Sequence, residues 1–385
     1  MGMIMFAIFK TFFWLGWISF GGPAAHIGYF RNTFVEKMKW LTDEEYGQIV
    51  ALSQFLPGPG SSQVGFAVGY KKGGLTGAIA AFVGFTTPSV ILMLILAVAS
   101  SQLLENSLFN SIIHGLKLLA VVVVADATYG MYKNFCKSAI ATSLCVMTAV
   151  VLLLFPGIWP QIFVLIVAAL IGSQYLSSQP QPSMTSSEKI SFAPLALFVA
   201  LLFGLPLLAS YSKGIEVFGL FYQAGSLVFG GGHVVLPLLQ NGIGDQLSQD
   251  AFLTGYAAAQ AVPGPMFTLA TYLGYVLMPA SPVLGALIAT IAVFLPGFLL
   301  LLGVLKNWQA IASKPLVSGA LTGVNAAVVG LLLAALYQPI FTSAVNNGLD
   351  FALIVVGVWL LKSIKLPIVG LVGVFITAGA VMNWL

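Results

Sequence analysis

Long unbroken apolar stretches dominate the chain. Met3 to Phe20, Leu75 to Ala99 and Phe192 to Ser210 each come close to or exceed the roughly 20 helical residues that cross a hydrocarbon core. Leu, Val and Ala fill these runs without the period-two alternation of a barrel strand. Backbone groups in lipid must bond within their own segment, so the runs predict helices. The first run passes through Trp14 and Trp17 into a glycine-rich motif with no small-residue cleavage pattern, which marks a span and not a signal peptide. The expected fold class is an all-α polytopic membrane protein, multi-pass in the inner (plasma) membrane.

Composition agrees: 59% of the 385 residues are hydrophobic and 7% are charged, against roughly 25% charged in soluble domains. The net charge of +4 comes from short loops, where it reads as an orientation signal and not as a nucleic-acid footprint. Cys136 and Cys145 lie nine apart with neither metal-ligand nor disulfide-framework spacing. The eleven acidic residues are scattered, so no catalytic or metal-binding constellation is expected. No phosphate-binding loop precedes a Lys and Ser or Thr, so the expected energy source is an ion gradient and not ATP. No cofactor is expected.

The polar segments repeat. "WLTDEEYGQIVALSQFLPGPG" at Trp40 to Gly60 is answered by "QLSQDAFLTGYAAAQAVPGPM" at Gln246 to Met266, with Leu41, Gln54 and Pro57 recurring 206 residues later as Leu247, Gln260 and Pro263. "FGGP" at Phe20 answers "FGGG" at Phe229, and "PSVIL" at Pro88 answers "PGFLL" at Pro296. Such self-similarity predicts a first transporter repeat over 1–177 and a second over 211–385. Between them, 178–210 holds a polar, proline-rich linker and an inserted apolar helix.

Basic loop residues Lys71, Lys72, Lys133 and Lys137 have no counterparts near Met278 to Pro282 or Pro339 to Asn347. Conversely, Lys306, Lys314, Lys362 and Lys365 fall where the first copy has only Glu105 or the uncharged Pro156 to Pro160. The positive-inside rule then gives the copies opposite orientations, the inverted-repeat design of secondary transporters. The segments Glu45 to Leu56 and Gly60 to Tyr70 are each too short to span. If they join as one broken crossing and the insert spans, there are thirteen crossings; if they fold back and the insert lies at the surface, there are ten. The long, uncharged insert favours thirteen, although that arrangement puts Arg31, Lys37 and Lys39 outside.

Pro57-Gly58-Pro59 and Pro263-Gly264-Pro265 each remove two backbone donors and stop a helix inside an apolar segment. The half-helix after each break begins within the membrane, with free N–H groups and a positive dipole end facing a buried space. That is an anion site in waiting. Ser61, Ser62 and Gln63 past the first break, Thr268 past the second, and Gln54 and Gln260 before them can donate to the oxygens of a tetrahedral dianion. Gly21, Gly22 and Pro23, with Gly230, Gly231 and Gly232, read as a wall or hinge of the site, or as close helix packing. Arg31, the only arginine, carries a planar fork suited to an oxyanion, though it equally suits a loop anchor; its second-copy counterpart is Gln240. His26, His233 and Asp126 are the candidate proton carriers.

These motifs resemble the chromate ion transporters in their long, two-domain form. "FGGPAAHIGYF", "FGGGHVVLPLL" and the doubled Pro-Gly-Pro segments carry the likeness across most of residues 1 to 310. The resemblance implies export of chromate, with isosteric sulfate as competitor, energised by the proton motive force. The expected partners are thus a small inorganic oxyanion (chromate or sulfate), protons and the lipid bilayer, with a homodimer left open. The alternatives are a transporter or channel for another small anion, or a structural subunit of a membrane complex.

Overall fold

The computed structural model describes residues 2–20, 22–103, 107–177, 191–229, 232–305 and 314–383, and every regular element among them is helical. Gly21, Gly230 and Gly231, the linker 178–190, Glu105 and Lys306 lie outside the described residues.

The first copy comprises α1 (Gly2–Ile18), α2 (Gly22–Phe30), α3 (Asp43–Phe55), α4 (Gly60–Leu103), α5 (Ser107–Phe135), α6 (Ala139–Leu154) and α7 (Ile158–Tyr175). The inserted helix is α8 (Phe192–Leu208). The second copy comprises α9 (Lys213–Leu227), α10 (Val235–Ile243), α11 (Gln249–Ala261), α12 (Leu269–Leu277), α13 (Pro282–Val304), α14 (Pro315–Ala335), α15 (Gly348–Lys362) and α16 (Ile368–Met382). Local chemistry starts these helices where polar residues interrupt the apolar runs. Thr42 and Glu45 form a reciprocal capping box on α3, and Ser248 caps the matching α11 by accepting from the Ala251 N–H.

α4 is two helices in sequence, broken at Gly73 and Gly74, where Gly74 takes φ +64°. The two arms pack tightly past this turn: a Cβ at Gly69 would meet the Gly77 carbonyl at 2.5 Å. α12 and α13 repeat the arrangement around Gly274 and Gly285.

Of the two arrangements left open by the sequence for the Pro-Gly-Pro element, the first copy takes the folded-back one. α3 has 13 residues, about 20 Å of helix against a core of about 30 Å. Lys71 Nζ lies 3.0 Å from Glu45 Oε1, so the element leaves the membrane at the face where it entered. α8 behaves differently. Phe192–Tyr211 is 20 residues long with mean hydropathy 2.4 and none of its apolar window buried by protein, so it is long enough to cross and its flanks face lipid. It is one of five helices among the described residues with the length and composition of a span. Exposed Trp159, Phe163 and Leu170 on α7 extend the same apolar exterior.

The copies interlock. α7 packs against α14 of the other copy, and α16 packs against α5. Both contacts are made through small residues: Gly172 abuts Gly319 and Gly323, and Gly379 abuts Ser111 and Gly115. Backbones thereby approach closely without lateral hydrophobic force, which lipid does not supply.

Candidate functional site

The two Pro-Gly-Pro breaks meet reciprocally across the interface between the copies. The Gly58 N–H donates to the Val228 carbonyl at 2.7 Å, and the Gly264 N–H donates to the Ser19 carbonyl at 2.8 Å. Both acceptors immediately precede the Phe-Gly-Gly motifs, so each break is satisfied by the glycine-rich element of the other copy. Gly58 has φ +122° and Gly264 φ +96°, conformations in which a side chain is strained. The space is closed as well: a Cβ on Gly58 would meet Gly297 Cα at 2.9 Å, while one on Gly264 would run into Ser89 Oγ. Ser89 donates to the Pro263 carbonyl at 2.6 Å.

At the first break, α4 begins at Gly60 with Ser61, Ser62 and Gln63 buried. The first turn of a helix has no intrahelical acceptors for its N–H groups; here the Gln63 N–H is taken up by the Pro59 carbonyl at 2.9 Å. Gln63 Nε2 donates to the Pro57 carbonyl at 3.0 Å and to the Gly297 carbonyl at 3.1 Å. Ser62 Oγ and Gln63 Oε1 are buried without a partner, an unusual state for buried polar atoms. Pro59 is buried beside Gly297, and Gln54, by contrast, is exposed.

His26 is fully buried, with Nδ1 3.1 Å from Ser61 Oγ and Nε2 3.1 Å from the Ser19 carbonyl. A carbonyl only accepts, so Nε2 carries the proton and Nδ1 accepts from the Ser61 hydroxyl. His26 thus touches both the helix start at the first break and the carbonyl that holds the second. Gly22 and Pro23 open α2 just before it, Gly22 at φ +76°.

The second break is built from different side chains. Thr268 donates through both N–H (3.0 Å) and Oγ1 (2.8 Å) to the Pro265 carbonyl. Gln260 Nε2 lies 3.1 Å from Met266 Sδ and 3.4 Å from His233 Nδ1, which is also 2.8 Å from Tyr256 Oη. Buried Gly232 packs against Met266. Phe66 stacks on Phe298 with centroids 4.2 Å apart, and Phe82 and Phe294 extend this wall between the copies.

Two of the residues singled out by the sequence sit apart from the breaks. Arg31 lies on a π-helical segment, Arg31–Lys37. Its fork binds Asp43 through Nε (2.9 Å) and Nη2 (3.0 Å), with Nη1 on Glu36 at 2.5 Å, all half exposed. The hydrogen bond it donates to Asp43 is the main reason its pKa is raised further. Asp126 pairs with Lys362, whose ammonium lies 5.7 Å from the Tyr129 ring; Lys133 lies 4.4 Å from the same ring.

Several polar contacts were not anticipated. His114 Nε2 lies 2.8 Å from Asp350 Oδ1, with Asp350 fully buried, and Lys117 pairs with Asp250. The signal was present, since charged residues in an apolar helix such as α5 are functional candidates by default. Among the described residues no three His, Cys, Asp or Glu side chains cluster as a metal site.

The family model for chromate transporters matches the chain twice, over residues 6–173 and 215–384. The chain belongs to the chromate transporter family. The chromate transport protein of Cupriavidus metallidurans is 29% identical over 329 residues, covering 83% of this chain and 79% of that protein. The chromate transport protein of Pseudomonas aeruginosa is 25% identical, covering 84% and 78%. An uncharacterized transporter of Methanocaldococcus jannaschii is 28% identical, covering 85% and 82%. No solved structure matches. Both Pro-Gly-Pro breaks and both glycine-rich motifs fall within the matched segments of this family of multi-pass membrane transporters.

Proposed function

We propose that the chain is a secondary active transporter that exports chromate across the inner membrane, driven by the proton motive force, with sulfate as the competing substrate. The substrate identity follows the names of the relatives in Pseudomonas and Cupriavidus. The anion binds where the two Pro-Gly-Pro breaks meet. One observation carries the reading: the reciprocal pairs Gly58 to Val228 and Gly264 to Ser19 bring two half-helix starts into one buried interface. There the Ser62 hydroxyl, at the start of α4, is buried without a protein partner and suited to donate to a dianion.

The repeats, 1–177 and 211–385, lie in opposite orientations. Support comes from Lys133, in the last turn of the fifth helix of the first copy, and Lys362, in the last turn of the penultimate helix of the second. These non-equivalent helix ends converge on Tyr129, as they would if basic ends of inverted copies shared one face. His26 couples the proton: protonation at Nδ1 makes it a donor and turns the Ser61 hydroxyl toward the anion. Arg31 serves at the mouth of the first hairpin through Asp43, outside the central site.

The test is flux of radiolabelled chromate and sulfate into proteoliposomes with and without an imposed pH gradient, comparing wild type with Pro57→Ala combined with Pro263→Ala. Gradient-dependent chromate flux lost in the double variant supports the reading. Sulfate flux alone moves the substrate, and no flux of either anion from folded protein removes oxyanion transport.

A further inference from the structure

Beside the start of α11, at the second copy's counterpart of the first hairpin's mouth, lies a cavity of about 140 Å³ between the copies. A single water needs about 10–15 Å³ by this measure, so the space admits a five-atom ion with part of its hydration. Its polar lining consists of amides: Gln161, Gln240, Asn241, Gln249 and Gln338. Among the described residues no charged side chain lines it. A larger opening of about 410 Å³ shares Gln240, Asn241 and Gln249 and continues the space outward.

Gln161 is 2% exposed, yet its Oε1 has no partner. A buried amide left unpaired is costly, and a ligand that bonds it removes the cost; a half-turn about its last torsion presents two N–H donors instead. Asp250, next to Gln249 in the chain, is already paired with Lys117. The cavity is therefore polar but electrically quiet.

The matching mouth of the first hairpin is different. There the positions of Gln240 and Gln249 are occupied by Arg31 and Asp43, and these close on each other as an ion pair. Gln161 corresponds to Ile368, by the 207-residue spacing that also relates Gly172 to Gly379. One mouth is thus bridged by charge and the other is left open with neutral donors.

We propose that the amide cavity is a second oxyanion site, a neutral vestibule holding a small tetrahedral dianion on its passage to or from the breaks. The inference rests on the transport reading above. Two elements connect the sites: α11 runs from Gln249 at the cavity to the residue after Gln260 at the break, and α10 runs from beside His233 to Gln240 and Asn241. At 1.5 Å per residue the nine residues of α10 span about 13 Å, so an ion moves one short helix length between them. Neutral donors suit a vestibule, because binding there must be weak enough to release.

The experiment measures side-specific KM for radiolabelled chromate and sulfate in proteoliposomes of uniform orientation, with equilibrium binding of both ions to the purified full chain. Gln240→Glu, isosteric and half exposed, places a negative charge at the mouth; Gln161→Leu removes the buried amide. KM at the cavity face should rise about tenfold for Gln240→Glu, a change of about 1.4 kcal/mol, with the KM at the opposite face and the melting temperature unchanged. Gln161→Leu should shift in the same direction. Wild-type flux with variants unchanged at both faces, or shifted equally at both, overturns the vestibule and leaves the central site intact. Absence of both flux and binding in wild type overturns the two sites together.

Discussion

Gly58 gives its backbone N–H to the Val228 carbonyl at 2.7 Å, pinning the first Pro-Gly-Pro break to the other copy's glycine-rich element. The pseudo-equivalent bond from Gly264 to Ser19 returns the favour. Neither proline flanking each glycine can donate, so the glycine N–H is the one backbone donor the break has to offer, and both copies use it across the interface. The consequence is mechanical: neither half-helix can shift without its partner's glycine motif following.

A methyl group at either glycine attacks this joint twice. At φ +122° and +96° a side chain costs about 1–3 kcal/mol in backbone strain, and the Cβ also collides with Gly297 or Ser89. Gly58→Ala and Gly264→Ala are each expected to lower thermal stability in detergent and abolish flux. Adding Ser89→Ala to Gly264→Ala should recover part of the steric loss but none of the strain. A double-mutant cycle reads this as a favourable coupling between positions 89 and 264; strict additivity would mean the contact does not exist.

His26 sits between the two breaks with each ring nitrogen already engaged, Nε2 as donor to Ser19 and Nδ1 as acceptor from Ser61. Gln offers a comparable donor and acceptor but cannot take up a second proton. His26→Gln is therefore expected to keep oxyanion exchange while losing its acceleration by an imposed pH gradient. Full gradient response in this variant would shift proton carriage to His233 or Asp126.

Much of this arrangement was legible in the chain, and the limits have physical causes. Pro-Gly-Pro speaks for itself because proline's missing donor is a backbone fact independent of neighbours, and its recurrence 206 residues on exposes the repeat. The partners that satisfy the breaks are backbone carbonyls of Ser19 and Val228, which every residue possesses and no pattern marks. Arg31 drew attention as a lone fork, but its commitment to Asp43 depends on the hairpin folding back. Gln161 looked like an ordinary residue of an apolar helix until the turn at Gly157 and the segment around Gln338 were brought beside it.

Gln63 ties the first break to the far copy, its Nε2 serving the carbonyls of Pro57 and Gly297. Gln63→Leu removes both bonds and leaves the Pro57 carbonyl without this donor, and a buried polar group left unpaired costs about 1–3 kcal/mol. A melting temperature well below wild type is expected, together with lost flux. Gln63→Glu keeps the shape but points a carboxylate at two carbonyls and at the incoming dianion, so it should lose binding of chromate and sulfate more completely than its stability loss explains. Binding measured on the folded fraction separates the two effects, and near-wild-type affinity in that fraction would remove Gln63 from the site.

Glu45 closes the first hairpin at the membrane face, accepting from the Thr42 N–H and from Lys71. The Thr42 hydrogen bond is the larger cause, and Lys71 the next, of a carboxyl pKa held below its usual value. A depressed pKa means the folded state favours the charged form, so the stabilisation is present above the unfolded-state value of about 4.3 and is lost as pH falls through the lower folded value. Glu45→Gln should therefore melt below wild type at neutral pH, and the gap should close on acidification below about pH 4. Because the pair is exposed, added salt should also narrow the gap at neutral pH by screening Lys71, while leaving the Thr42 cap in place. A gap that is constant across this pH range would mean that Glu45 contributes only its shape, and that the hairpin is closed by packing of Tyr46 and its hydrogen bond to the Ile27 carbonyl at 2.6 Å.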